Sequence, residues 1–102
     1  DEAIADYTDA ISLEPRDATT YNNRGIAYYR RGELAQAMAD YTQAIALSPR
    51  FAEAYYNRGT IYAENQVEER AIADFRKVLA LSKDSSLRRG AQEQLGALGI
   101  GN

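Results

Sequence analysis

The chain has 102 residues, which is the size of one small domain. It contains no cysteine and no histidine, so disulfides, the usual zinc sites, thiol nucleophiles and imidazole bases are excluded. A net charge of −3 is unlike the basic face of a nucleic-acid-binding domain. We therefore expect no metal site, no cofactor and no nucleic-acid partner.

No apolar run approaches the roughly 18 residues that a membrane span needs, and nothing at the start resembles a signal peptide. We expect a soluble protein with no membrane partner, and we favour an intracellular location. Valine, isoleucine, leucine and phenylalanine are few, whereas alanine is abundant and tyrosine is the most frequent aromatic residue. Alanine-rich helices with aromatic rings between them are suited to close helix packing.

Helical periodicity begins at the start of the chain, where Ile4, Tyr7 and Ile11 recur every three or four residues and Pro15 follows. Further along, Gly32 stands where a helix would end in a left-handed residue. The pattern predicts an all-α fold with helices at residues 2–14, 18–31, 34–47, 52–65, 68–81 and 86–98.

The chain also repeats itself at a 34-residue period, the offset between positions 21 and 55. Residues 21–25, YNNRG, match residues 55–59, YYNRG, and residues 37–41, AMADY, match residues 71–75, AIADF. A third copy of the second half, AIADY, occupies residues 3–7. Such self-similarity predicts stacked copies of one supersecondary unit.

Gly25 and Gly59 fall inside predicted helices, where glycine costs roughly 1 kcal/mol relative to alanine. We expect close helix contact to be the reason, with Gly25 beside Ala37 and Gly59 beside Ala71. The neighbouring space would be filled by aromatic rings, those of Tyr28, Tyr41, Tyr62 and Phe75.

The motif Tyr-x-x-Arg-Gly-x-x-Tyr, followed by Ala-x-x-x-aromatic and then Pro, resembles the tetratricopeptide repeat over residues 1–85. The resemblance implies a right-handed stack of antiparallel helix hairpins, an α-solenoid. Departures from the family pattern are Tyr for Trp at positions 21 and 55, Arg for Leu at 24 and 58, Gln for the turn Gly at 66, and Lys for Pro at 83. At the Gln66 turn we expect Asn65 to take the left-handed conformation instead.

On this basis we interpret residues 1–102 as a single domain of about two and a half repeats. Residues 1–17 are the second half of a repeat, 18–51 and 52–85 are full repeats, 86–98 are a capping helix, and 99–102 are a frayed tail. Gly90 and Gly96 should weaken the capping helix. Because the chain begins with Asp1 inside a repeat, we expect it to be a piece of a longer protein.

The family resemblance implies that the first helix of each repeat lines a concave groove that receives a partner peptide. The candidate groove residues are Thr19, Asn22, Asn23, Ile26, Tyr29, Arg30, Glu53, Tyr56, Asn57, Thr60 and Glu64. Some family members clamp a chaperone's C-terminal carboxylate with Lys, Arg and Asn. Those roles would fall on Asn22, Ile26, Asn57, Leu87 and Ala91, where only Asn57 has the right chemistry. We therefore expect no clamp.

Arg24 precedes Asp40, and Arg58 precedes Asp74, at the same separation along the chain. Two interpretations are open. The arginines could form a ladder that binds anions, or each could pair with an aspartate as a structural contact, either within its own repeat or with Asp6 and Asp40 of the preceding one. We favour the structural pair.

Neighbouring carboxylates such as Glu68 and Glu69 point apart on a helix, and nothing supplies an oxyanion hole, so we predict no enzymatic activity. The favoured function is a protein–protein interaction scaffold. The alternative is a self-association module that uses its stack ends. Acidic residues predominate in residues 1–20 and basic residues in residues 75–102, so the two ends differ in the sign of their charge.

Overall fold

A computed structural model describes residues 1–101 and confirms the all-α prediction. Within that range there is no strand, and each helix begins and ends within one residue of its predicted limits. The helices are α1 (Glu2–Leu13), α2 (Ala18–Arg30), α3 (Leu34–Leu47), α4 (Ala52–Glu64), α5 (Glu68–Leu81) and α6 (Ser85–Ala97).

These helices form two compact units, Asp1–Pro49 and a second that begins at Arg50. In the first unit, α2 packs against both α1 and α3. In the second, α4 packs against α5, and α6 packs against α5 and also touches α4. The predicted hairpins, α2 with α3 and α4 with α5, are therefore present.

The core of the first unit follows the apolar stripe of α3. Ala37, Tyr41 and Ala44 are at most 2% exposed. A Cβ atom at Gly25 would lie 2.6 Å from Cε1 of Tyr41, so helix α2 can approach α3 only because position 25 has no side chain. The need for glycine is as predicted, but its nearest neighbour is the Tyr41 ring and not Ala37.

The second unit has the same plan with a different ring. Phe75 and Val78 of α5 and Ile61 of α4 are at most 1% exposed. A Cβ atom at Gly59 would lie 3.1 Å from both the Phe75 ring and the Cβ of Asp74. This spacing is tight, but it leaves more room than the spacing at Gly25.

Each hairpin also holds a bidentate ion pair. Arg24 donates to both carboxylate oxygens of Asp40 at 2.8 Å. Arg58 does the same to Asp74 at 2.9 Å. Each arginine side chain is 18% exposed and each aspartate 6%. The prediction of a structural pair within one repeat is confirmed, and guanidinium groups engaged in this way do not form an anion-binding ladder.

Tyrosine rings flank each of these guanidinium groups. The Arg24 guanidinium carbon lies 5.8 Å from the Tyr21 ring centroid and 5.7 Å from that of Tyr28. The Arg58 group has the same distances to the equivalent rings of the next repeat, Tyr55 and Tyr62. The hydrogen bonds that the two arginines donate to Asp40 and Asp74 raise the pKa of each arginine above its ordinary value. Arginine thus fills the position of the family's leucine with an ion pair between two rings.

The turns after α2 and α4 use the same hydrogen bonds and different residues. At the first turn Gly32 has a φ of 78°, and the Glu33 amide donates to the Tyr28 carbonyl at 3.0 Å. At the second turn Gln66 itself has a φ of 63°. The expectation that Asn65 takes the left-handed conformation is therefore wrong, since its φ is −89°. This closing geometry needs its left-handed residue at the position equivalent to Gly32, whichever residue stands there.

Helix α6 begins with a side-chain cap and ends with main-chain hydrogen bonds. Asp84 accepts from the Leu87 amide at 2.8 Å, as preferred N-cap residues do. At the other end Gly99 has a φ of 84°, and the Ile100 amide donates to the Leu95 carbonyl at 2.9 Å. That residues 99–102 fray in solution stays a prediction, and Asn102 lies outside the described residues.

Candidate functional site

An open cleft of about 410 Å³ lies in the second unit, between the N-terminal half of α4 and the first turns of α6. Two helices and the segment that joins α5 to α6 contribute to it. Its lining residues are Glu53, Tyr56, Ser82, Asp84, Ser86, Leu87 and Gly90. We call this feature the α4–α6 cleft.

The Tyr56 ring forms one wall of the α4–α6 cleft and is held on two sides. It meets Phe75 edge to face, with ring centroids 5.5 Å apart and an interplanar angle of 64°. On its other side, a Cβ atom at Gly90 would lie 3.1 Å from the Tyr56 hydroxyl oxygen. Gly90 therefore has a packing role that the sequence analysis did not give it. The ring is half-buried, so one part is fixed by packing and another remains accessible.

The charged residues among the lining are both acidic, Glu53 and Asp84. Arg88 follows Leu87 in α6 but is not a lining residue, and its Nη1 atom donates to the main-chain carbonyls of Leu79 and, at 3.2 Å, Ser82. These carbonyls lie at the C-terminal end of α5, where a cation is favoured. The α4–α6 cleft therefore carries negative charge next to an aromatic ring.

Of the five α4 candidates, the structure brings Glu53 and Tyr56 into the cleft. Asn57 and Thr60 are half-buried, and Glu64 is exposed. The Thr60 hydroxyl donates to the Tyr56 carbonyl at 3.0 Å, so its hydrogen is used within α4. That Asn57, Thr60 and Glu64 contact a partner stays a prediction.

The six α2 candidates belong to the first unit and differ in accessibility. Thr19 and Arg30 are exposed, and Asn23, Ile26 and Tyr29 are half-buried. Asn22 is only 5% exposed, so a partner could reach little of it. Their role in binding also stays a prediction.

Sequence reasoning missed the lining residues that follow α5, which are Ser82, Asp84, Ser86, Leu87 and Gly90. They were missed because α6 lies outside the repeat and was interpreted only as a cap. One signal was available. Leu87 occupies a position at which the family resemblance places a groove residue, although its apolar side chain argued against a clamp.

In the described part of the chain, no group of three or more aspartate and glutamate side chains could hold a metal ion. No helix between residues 1 and 101 has the length and apolar character that a membrane crossing requires.

Comparison with known structures finds several that are described as TPR proteins. The first TPR of Spaghetti (RPAP3), bound to the HSP90 peptide SRMEEVD, is 29% identical with a TM-score of 0.81, and the match covers 94% of this chain and 77% of that one. The Arabidopsis OM64 TPR domain is 32% identical with a TM-score of 0.83, covering 93% and 78%. YrrB, described as a TPR protein with an unusual peptide-binding site, is 29% identical with a TM-score of 0.80, covering 91% of this chain and 48% of YrrB.

Family models give the same result at the level of sequence. The model of the TPR repeat matches residues 1–32 and 27–66, and that of the tetratricopeptide repeat matches residues 52–85. No sequence of a curated protein matches significantly. The matched segments together span residues 1–85, which is well over half of the chain. The chain therefore belongs to the tetratricopeptide repeat family.

Proposed function

We propose that the chain is a non-enzymatic protein-interaction module that binds a peptide segment of a partner protein on the first helix of each repeat, α2 and α4. The α4–α6 cleft is the main contact in the second unit. The single observation that carries this proposal is the half-buried Tyr56 ring, fixed by Phe75 and Gly90 at the wall of an open cleft.

Fixed aromatic rings are effective binding groups because they offer a large contact area and lose little conformational entropy on binding. The Ser82 and Ser86 hydroxyls beside Tyr56 can donate to or accept from a peptide backbone. Leu87 adds an apolar surface for a partner side chain. This combination suits recognition of an extended segment.

The comparisons support the same class of partner. The first TPR of Spaghetti is described with a bound HSP90 peptide, and YrrB is described by its peptide-binding site. Their matches cover 94% and 91% of this chain, so the likeness includes both of its repeats. We therefore assign to the chain the function of binding a peptide or protein partner. The identity of that partner is a separate question.

The proposal is tested by selecting peptides that bind the full 102-residue chain from a displayed library of random heptapeptides. Recovered peptides would be labelled, and their affinities measured by fluorescence anisotropy for the wild-type chain and for Tyr56→Ala. We expect Tyr56→Ala to weaken binding at least tenfold, the factor that corresponds to about 1.4 kcal/mol. Tyr56→Phe keeps the ring and should retain most of the affinity.

Tyr56→Ala also removes the contact with Phe75, so circular dichroism must first show that the variant is folded. Glu69→Gln, on the exposed face of α5, is the control for a change outside the cleft. Peptides that bind Tyr56→Ala as tightly as the wild type would refute the cleft assignment. Failure to recover any saturable binder would count against the peptide-binding function itself.

Self-association through the stack ends is the second candidate. Helix α1 has no buried residue, and Leu13 at its end is 84% exposed, whereas Ile4, Tyr7 and Ile11 are half-buried against the rest of the unit. Exposed apolar side chains favour association. Sedimentation velocity at low and high salt tests this candidate. Association weakened by salt supports contact between oppositely charged ends, association strengthened by salt supports apolar contact between acidic ends, and a monomer throughout refutes both.

A further inference from the structure

We infer that the α4–α6 cleft selects a partner segment with a lysine or arginine side chain, which would lie over the Tyr56 ring between the carboxylates of Glu53 and Asp84. This inference rests on the proposed function, because it names the chemistry of the segment that the same cleft binds. It sets the chain apart from the Spaghetti domain, whose bound peptide SRMEEVD is predominantly acidic.

The first argument is charge. Glu53 and Asp84 line the cleft, and none of its lining residues is a cation. An acidic segment placed there would bring like charges together, whereas a cation would gain carboxylate partners. Arg88 is not a lining residue, and its guanidinium is held by the main-chain carbonyls of Leu79 and Ser82.

The second argument is the ring. A cation within about 6 Å of a tyrosine centroid is attracted to its face. The chain already uses this contact in both of its hairpins, where Arg24 and Arg58 each lie 5.7 to 5.8 Å from two tyrosine centroids. Tyr56 lines an open cleft. A partner's cation could therefore make the same kind of contact there.

The third argument is that the site is pre-formed. Asp84 is oriented by its cap hydrogen bond to the Leu87 amide at 2.8 Å, which uses Oδ1 and leaves Oδ2 for another donor. Tyr56 is oriented by Phe75 and by the close approach of Gly90. Groups that are already positioned lose little entropy when a ligand binds. Leu87 would contact the aliphatic part of the lysine or arginine side chain.

The test uses the heptapeptides recovered on the wild-type chain, with two charge-removing variants and a matched control for each. Glu53→Gln is matched by Glu69→Gln, because each glutamate is the second residue of its helix. Asp84→Asn is matched by Asp17→Asn, because each aspartate is an N-cap and asparagine caps equally well. Each pair therefore removes the same charge from the same helix position, inside and outside the cleft.

We expect the recovered peptides to be enriched in lysine and arginine. Glu53→Gln and Asp84→Asn should each weaken their binding by roughly twofold to fivefold, the range of exposed ion pairs, with the effect reduced at high salt. The control variants should stay within the error of wild type. Replacing the basic residue of a recovered peptide with norleucine or glutamine should remove the sensitivity to Glu53→Gln.

Three results would overturn the inference. Peptides that are acidic or uncharged, yet depend on Tyr56, would leave the peptide-binding function intact and refute the choice of a basic partner. Basic peptides weakened equally by the cleft variants and their controls would show attraction to the net charge of −3 and no selective site. Peptides whose binding does not depend on Tyr56 would refute both this inference and the cleft assignment.

Discussion

The hairpins α2–α3 and α4–α5 share the polar residues of a buried ion pair. They differ in an apolar packing residue and in the residue at the turn. Both hold a bidentate arginine–aspartate pair between two tyrosine rings, with hydrogen bonds of 2.8 Å in the first and 2.9 Å in the second. They differ in the ring that meets the helix glycine, Tyr41 or Phe75, and in the residue that closes the turn, Gly32 or Gln66. The geometry of the pair is therefore constant while the apolar packing and the turn vary.

The cost of desolvating a buried charge explains why the arginine–aspartate pair is the same in both hairpins. An aspartate that is 6% exposed must keep its partner, because a buried charge without one costs several kcal/mol. A ring or a turn residue can change at a cost of about 1 kcal/mol. The comparison between the hairpins can be tested at each of these positions.

The largest effect is expected from removing the aspartate. Asp40→Ala or Asp74→Ala removes the carboxylate partner of a largely buried guanidinium and should lower the free energy of unfolding by about 3 kcal/mol, measured by urea denaturation. The double variant Arg24→Leu with Asp40→Ala removes both charges and should recover much of that loss. A double variant less stable than Asp40→Ala alone would contradict this account of the pair.

The next effect concerns the helix glycines, and it should differ between the hairpins. Gly25→Ala places a Cβ atom 2.6 Å from the Tyr41 ring, so repacking should outweigh the roughly 1 kcal/mol that alanine gains in a helix. We expect a net loss of about 1 kcal/mol or more. At Gly59 the closest distance is 3.1 Å, so Gly59→Ala should change stability less. Equal effects in thermal unfolding would show that the two contacts do not differ.

At the two turns, Gln66→Gly and Gly32→Gln should change the free energy of unfolding in opposite directions. Gln66→Gly relieves a left-handed residue that has a side chain and should stabilise the protein by about 1 kcal/mol. Gly32→Gln should destabilise it by a similar amount, and since no atom lies within 4 Å of a Cβ at position 32, the cost comes from the backbone alone. Chemical denaturation of the two variants measures both values. Destabilisation by Gln66→Gly would mean that the Gln66 side chain contributes more than the strain costs.

The smallest effect concerns pH and the two rings. Burial raises the pKa of Tyr41 to about 12 from the ordinary value of 10. Between pH 10 and 12 the unfolded chain ionises at this residue and the folded chain does not, so the free energy of unfolding falls as the pH rises. Tyr41→Phe, which copies Phe75, should lose less stability over this window than the wild type. If the free energy of unfolding of the wild type and of Tyr41→Phe falls in parallel as the pH rises, the prediction is wrong.

The sequence predicted those features that depend on contacts within one repeat. The helices follow from apolar spacing, the Gly32 turn from its place after a helix, and the Arg24–Asp40 pair from its recurrence in the next repeat. The left-handed conformation of Gln66 could have been predicted from Gly32, but local propensity favoured Asn65. Repeat register decided the outcome because the closing hydrogen bonds fix which residue must be left-handed.

The candidate site was less predictable, because it depends on a helix outside the repeat. Glu53 and Tyr56 were identified from the resemblance, whereas Asp84 and Gly90 become part of the site only when α6 packs beside α4. Glycine at position 90 suggested a weak helix from sequence alone. Only the position of the Tyr56 ring shows that this glycine permits a close approach.

The central claim, that the α4–α6 cleft holds a partner segment, is tested most directly by nuclear magnetic resonance. A recovered basic heptapeptide would be titrated into isotope-labelled protein while the backbone amide signals are followed. We expect saturable shifts concentrated at Glu53, Tyr56, Leu87 and Gly90, with exposed positions of α5 such as Glu69 unchanged. Shifts that saturate elsewhere while those four amides stay in place would contradict the claim.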